Sequence, residues 1–137
     1  MATERQIIIT TELPADFKKV LNLYEALGWN SFELKEEDFR EMCMQSWFVV
    51  YAYDRERLVG MGRIISDGVI TAIICGLGIA PSHQHSGIGK QLMQRMIDQC
   101  ESNGVIAQLM CEENLEPYYE AMGFMKFASG MTRNSLH

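Results

Sequence analysis

Apolar positions along this chain fall into two patterns: continuous β-branched runs, and stripes that recur at helical period. Val69 to Cys75 is a run of the first kind and reads as a buried strand. Ile88, Leu92, Met93, Met96, Ile97 and Cys100 recur at intervals of one, three and four, the apolar face of a helix that Gly104 stops. Upstream, Arg5 to Thr10 predicts a first strand. Pro14 opens a helix with Phe17, Val20, Leu21, Tyr24 and Leu27 on one face, ended by Gly28. Trp29 to Leu34 reads as a loop carrying exposed aromatics, and Glu36 to Met44 as a short acidic helix. Trp47 to Tyr53 and Leu58 to Ile65 are strands, and Asp67-Gly68 signals a two-residue hairpin turn into the Val69 strand. After the long helix come a strand over Val105 to Met110, a short helix over Pro117 to Met122, and a strand or pair beyond Phe124. The expected order is β-α-α-β-β-β-α-β-α-β, an α+β domain. No repeat, linker or low-complexity tract divides it, so residues 1–137 read as one domain.

The junction between the Val69 strand and the long helix carries candidate chemistry. A phosphate is well held by unpaired backbone N–H groups at a helix start, where the dipole is positive and no side chain blocks the approach. Gln84-His85-Ser86-Gly87-Ile88-Gly89 suits that task, with Gly87 and Gly89 where backbone would meet ligand and Lys90 in the first helical turn. Just before it, Gly76 and Gly78 interrupt the strand end, the usual mark of a bulge or close backbone approach. No Gly-x-Gly-x-x-Gly is present, which argues against a dinucleotide fold.

A second signal follows about thirty residues on. Tyr118-Tyr119-Glu120-Ala121-Met122-Gly123-Phe124 puts a phenol on a short helix capped by Gly123. Taken with Leu77-Gly78-Ile79-Ala80-Pro81 leading into Gln84-x-x-Gly87-x-Gly89, it resembles the Gcn5-related N-acetyltransferase (GNAT) superfamily along nearly the whole chain. Gly130-Met131-Thr132 also looks like the ending of some small bacterial members. The resemblance implies a mixed, mostly antiparallel central sheet flanked by about four helices. It implies acetyl-CoA as cosubstrate, with no metal, and acetyl transfer to an amine. It places the pantetheine arm on the bulged strand end at Leu77, Gly78 and Ile79. The pyrophosphate falls on Gln84, His85, Ser86, Gly87, Ile88, Gly89 and Lys90, with Asn114 and Tyr119 also at the cofactor.

Charge narrows the partners. A net charge of -6 offers no basic stripe for nucleic acid, and it mildly favours cationic amines. Cys43, Cys75, Cys100 and Cys111 lack metal-ligand spacing and read as free thiols of a reducing compartment. The N-terminus has no basic-then-apolar leader pattern and no apolar run approaches ~20 residues, so a cytoplasmic protein is expected, without a membrane partner and with a homodimer left open.

The chemistry assigns further roles. With a reference pKa of ~10.4, only about one amine in 10³ is a free nucleophile at neutral pH, so a base must take its proton. A backbone N–H near Ile79 suits the developing oxyanion, and Tyr119 suits protonation of the departing thiolate. Many family members carry a carboxylate on the central strand six or five positions before the proline, where this chain has Cys75 and Gly76. Glu112, Glu113 and His83 are the candidates left, of which Glu113 and His83 adjoin the two recognised elements. By analogy alone, Trp29, Phe32, Tyr51 and Arg63 wall the acceptor groove. The expected function is direct acetyl transfer in a ternary complex to a primary amine, of a small molecule or of a peptide. The alternative is a CoA-binding module with little catalysis, in keeping with the missing carboxylate.

Overall fold

Five strands, β1 (Ile7–Thr10), β2 (Phe48–Asp54), β3 (Arg57–Ser66), β4 (Thr71–Ile79) and β5 (Ile106–Leu109), form one sheet in the order β1-β2-β3-β4-β5. The structure is a computed structural model and describes residues 4–134. Neighbours from β1 to β4 run antiparallel, and β5 joins β4 in parallel, paired from Thr71↔Ile106 to Ile74↔Leu109. A parallel neighbour needs a crossover, which α3 (Ile88–Asn103) supplies. This is the mixed, mostly antiparallel sheet expected, with α1 (Lys18–Leu27), α2 (Glu36–Gln45) and α4 (Glu116–Glu120) completing the four helices.

The sheet is covered on both faces. On one, α3 buries Ile88, Leu92, Met93, Met96 and Cys100, its whole predicted stripe except the half-buried Ile97. Glycines let it approach closely: a Cβ at Gly62 would stand 2.6 Å from Met96 Cε, and one at Gly60 would stand 3.3 Å from Leu92 Cδ1. On the other face, Val20, Leu23 and Tyr24 of α1 and Phe39 and Cys43 of α2 are buried. Gly28 and Gly104 close α1 and α3 in the left-handed region, at φ +71° and +68°.

Three of the differences from the sequence reading have a visible cause. α1 begins at Lys18, not Pro14, because the Asp16 carboxylate accepts the Lys18 N–H at 2.9 Å and its carbonyl the Lys19 N–H at 3.2 Å. β4 begins at Thr71 and not at Val69. The Ser66 hydroxyl accepts the Gly68 N–H and donates to the Thr71 carbonyl, while Asp67 accepts the Val69 N–H, so side chains hold a wider turn. Val69 and Ile70 therefore lie exposed in that turn. The third difference is at the C-terminus: among the described residues no strand follows Phe124. Phe124 packs its ring against Tyr119, but Met125, Phe127 and Met131 are exposed, and β5 offers only a four-residue edge as a template.

Candidate active site

The centre of β4 is distorted where Gly76 and Gly78 predict it. Cys75 pairs with Arg63 and Gly78 with Met61, so the β4 strand advances one residue more than β3 between them, a bulge. Gly76 sits at φ +63°, a conformation that favours glycine. On the other side of β4, pairing with β5 ends at Ile74↔Leu109. From Cys75 to Ile79 that edge has no strand partner among the described residues, leaving its backbone donors and acceptors unpaired by a neighbouring strand. Gln84 spans the end of it, its side-chain amide donating to the Ile79 carbonyl at 3.1 Å. Leu77, Gly78 and Ile79 thus present an open strand edge of the kind an extended, amide-bearing arm can pair with.

A 3-10 turn (Pro81–His83) leads from this edge to α3. His85 at φ +61° and Gly87 at φ +87° turn the chain into the helix, and the Ser86 hydroxyl donates to the His83 carbonyl, which fixes the loop from within. No side chain caps the start of α3, and the first bond back to the loop is from Gln91 N–H to the Gly87 carbonyl. The N–H groups of Ile88, Gly89 and Lys90 are therefore left for a ligand. Gly89 is the informative position. Its backbone is helical, and an added Cβ would meet only Ile79 side-chain atoms at 3.7 and 3.9 Å, ordinary contact. Neither strain nor packing within the chain demands glycine there, whereas a phosphate approaching the backbone does. Lys90 is exposed and in no ion pair among the described residues, available to the same anion. The loop fits a pyrophosphate, and these are the residues that would hold it.

Tyr119, on α4, is half-buried, with its ring edge-on to Tyr118 and Phe124 at centroid separations of 5.1 and 6.1 Å. Burial pushes its phenol above the ordinary value, with the neighbouring Tyr118 and Cys111 adding to the rise. The hydroxyl has no hydrogen-bond partner among the described residues, and the ring borders a largely apolar cleft of about 710 Å³ between β5, α4 and the C-terminal segment. Glu113 and Asn114 lie on an exposed 3-10 turn (Glu113–Leu115), without side-chain hydrogen bonds among the described residues, and neither caps α4.

His83 stands differently from the open base that the sequence allows. It is buried, with Nε2 2.7 Å from Asp54 Oδ2 and Nδ1 2.7 Å from Ser82 Oγ. Arg57 donates to the same Ser82 hydroxyl and Arg5 to the Ser82 carbonyl. Both ring nitrogens are thus committed to a pair that fastens the loop to the end of β2.

The four residues assigned to the acceptor groove separate into three groups. Trp29 and Arg63 come together at the bulge: a Cβ on Gly78 would stand 2.6 Å from Trp29 Cη2, and one on Gly76 would stand 3.1 Å from Arg63 Nε. Tyr51 is fully buried in β2, opposite Met61 of β3, so it does not line an open groove. Phe32 is 80% exposed and stands away from the core. The sequence reading missed Tyr24, whose hydroxyl is 3.3 Å from the same Gly76 Cβ position. Its place in the α1 stripe marks it as core, and the only sign of more is a polar tip on a core residue. Burial raises the Cys75 thiol, partly offset by Arg63, so Cys75 stays protonated and is a poor nucleophile.

Comparison with known proteins bears on this geometry. The pattern of the Acetyltransferase (GNAT) family matches residues 9–124. GCN5-related N-acetyltransferase 3, a chloroplastic protein of Arabidopsis thaliana, is 40% identical over 78 residues, 56% of this chain, and the match spans 32% of that protein's length. A GNAT-family acetyltransferase of Streptococcus pneumoniae superposes with a TM-score of 0.74 at 26% identity, covering 95% of this chain and 98% of that one. A glucosamine-6-phosphate N-acetyltransferase of Arabidopsis thaliana shares the fold alone, with a TM-score of 0.77 at 14% identity over 94% of this chain and 98% of that one.

Proposed function

Because the chain belongs to the Acetyltransferase (GNAT) family, we propose that it transfers the acetyl group of acetyl-CoA directly to a primary amine, with both substrates bound at once. The observation that carries this reading is the open half of β4 running into an uncapped α3 N-terminus whose Gly89 answers to no internal constraint. Acetyl-CoA supplies an activated thioester. The chain supplies the rest. Leu77, Gly78 and Ile79 hold an amide-bearing arm along the free strand edge, and a backbone N–H near Ile79 faces developing negative charge. Ile88, Gly89 and Lys90 hold the phosphates. Tyr119, kept a neutral phenol by burial, retains a proton for the departing sulfur. Glu113 has a carboxylate with no bond among the described residues and is the base to test first, while His83 is given a structural role.

A second reading, a CoA-binding module without turnover, is favoured by Cys75 and Gly76 at the strand positions where a carboxylate is expected. One experiment separates the two. Acetyl-CoA at 100-fold its Kd stabilises the fold by about 2.7 kcal/mol under either reading. Release of free thiol on adding amines occurs only under the first. Absence of both effects would reject the site itself.

A further inference from the structure

Arg63 stands in the middle of β3, directly opposite Cys75 across the β4 bulge. Its Nε is buried without a hydrogen-bond partner, and among the described residues its guanidinium is in no ion pair; the two pairs there are His83–Asp54 and Lys126–Glu116. Arginines half-buried in a sheet face are ordinarily matched to a carboxylate, because an unpaired cation there forfeits its hydration without return. The groups around this one, Tyr24, Cys43 and Cys75, are all held neutral by burial. Tyr24 donates its O–H to Met42 Sδ at 3.7 Å, and its phenol oxygen faces Arg63 as a neutral acceptor that leaves the positive charge unmatched.

The orientation of the site matters too. Leu77 and Ile79 face the α3 side, where they meet the Cβ positions of Gly62 and Gly60, whereas Gly76 and Gly78 face Arg63, Tyr24 and Trp29 on the α1 side. Arg63 is therefore on the opposite face of the sheet from α3, whose N-terminus takes the phosphates. Its charge lies beside the open half of β4 and is left for the other substrate.

We propose that Arg63 binds a carboxylate of the acceptor, so that the amine acetylated here is of amino-acid type and not a simple cationic amine. This rests on the transferase reading above. A guanidinium presents paired N–H donors that match a carboxylate in a bidentate fork, and Trp29 over Gly78 provides an apolar wall for the remainder of the acceptor. An amine lacking the acid group would leave the cation as it is found, unmatched.

The test compares the amino acids with their carboxamides, which keep the size and the amine but lose the negative charge. Thiol release is followed with each pair, together with phosphoethanolamine. The acid is expected to exceed its amide in kcat/KM by about 10- to 100-fold for the accepted side chain. R63Q should abolish that preference with the acetyl-CoA thermal shift unchanged, and R63K should keep part of it. Amides equal to or better than acids, or phosphoethanolamine ahead of every amino acid, would overturn the proposal. If R63Q does not fold, the ranking in the unsubstituted protein decides alone. If acetyl-CoA binds but no amine releases thiol, the transferase reading has failed. The carboxylate proposal is then decided by thermal shift of the acetyl-CoA complex: stabilisation by acids over amides supports it, and no difference overturns it.

Discussion

His83 Nε2 and Asp54 Oδ2 lie 2.7 Å apart, although the residues are 29 positions apart in sequence. The contact ties the turn ahead of the phosphate loop to the end of β2. With Ser82, Arg57 and Arg5 it forms a bonded set that holds the loop.

That pair predicts a pH signature in stability. The His83 ring, and then the Gln6 N–H, hold the Asp54 carboxyl below the usual carboxylate range. A carboxylate depressed in the fold contributes stability that is present above its unfolded pKa of ~3.9 and is lost as pH falls through the folded value. Asp54→Asn should therefore lower Tm at pH 7, and the gap to the unsubstituted protein should close as pH approaches the acid limit. A gap that stays constant from pH 7 to pH 3 would contradict the pairing. In the same vein, with both His83 ring nitrogens engaged by Asp54 and Ser82, His83→Gln is expected to leave the ascending limb of the kcat/KM profile where it was; loss of that limb would restore His83 as the base.

Gly87 and Gly89 should respond differently to substitution. Gly87 sits at φ +87°, so Gly87→Ala imposes a left-handed cost of about 1–2 kcal/mol, read by denaturation. Gly89→Ala meets no close atom and is a better helix former, so the fold should keep or gain up to ~1 kcal/mol. Gly89→Val should be folded yet bind acetyl-CoA at least ~10-fold more weakly, because the branched side chain occupies the anion's approach. Wild-type affinity in a folded Gly89→Val protein would move the cofactor elsewhere.

Tyr119→Phe keeps the ring packing against Tyr118 and Phe124 and removes only the hydroxyl. Turnover should fall by about 10²-fold with acetyl-CoA affinity unaltered. Because burial raises its pKa, the phenol stays protonated throughout the neutral range. No descending limb below pH ~10 should then belong to it. Full turnover in the variant would leave Tyr119 a packing residue.

Two glycines of the sheet should also part company. An alanine at Gly78 would push on the rigid Trp29 ring at 2.6 Å, while one at Gly62 meets only the flexible ends of Met96 and Leu77. Gly78→Ala should cost roughly 1–3 kcal/mol and shift Trp29 fluorescence as the ring is displaced. Gly62→Ala should cost less and leave the emission unchanged. The reverse order would mean that Trp29 is loosely seated over the bulge.

Features set by short stretches of chain are those legible without the fold. Gly28 and Gly104 mark helix ends because the left-handed cap is a local demand. The α3 stripe is read from its period, and Gly87-x-Gly89 from what a phosphate asks of neighbouring backbone. The strand bulge is also legible, since Gly76 and Gly78 stand in an otherwise apolar run. Features that depend on residues far apart are not. A competing local signal hides a boundary too: Val69 and Ile70 have strand propensity, yet the nearby Ser66 and Asp67 bind the backbone around them and start the strand later. The residues after Phe124 form no strand among those described, because pairing depends on the length of the partner edge, here the four residues of β5, and not on the segment's own pattern. His83 has the composition of a base until Asp54 arrives from β2. Arg63 and Tyr24 meet over Gly76 only once β3, β4 and α1 are stacked. Side-chain chemistry is written residue by residue, but the charge and neighbours that decide its use are brought by contacts across the sheet.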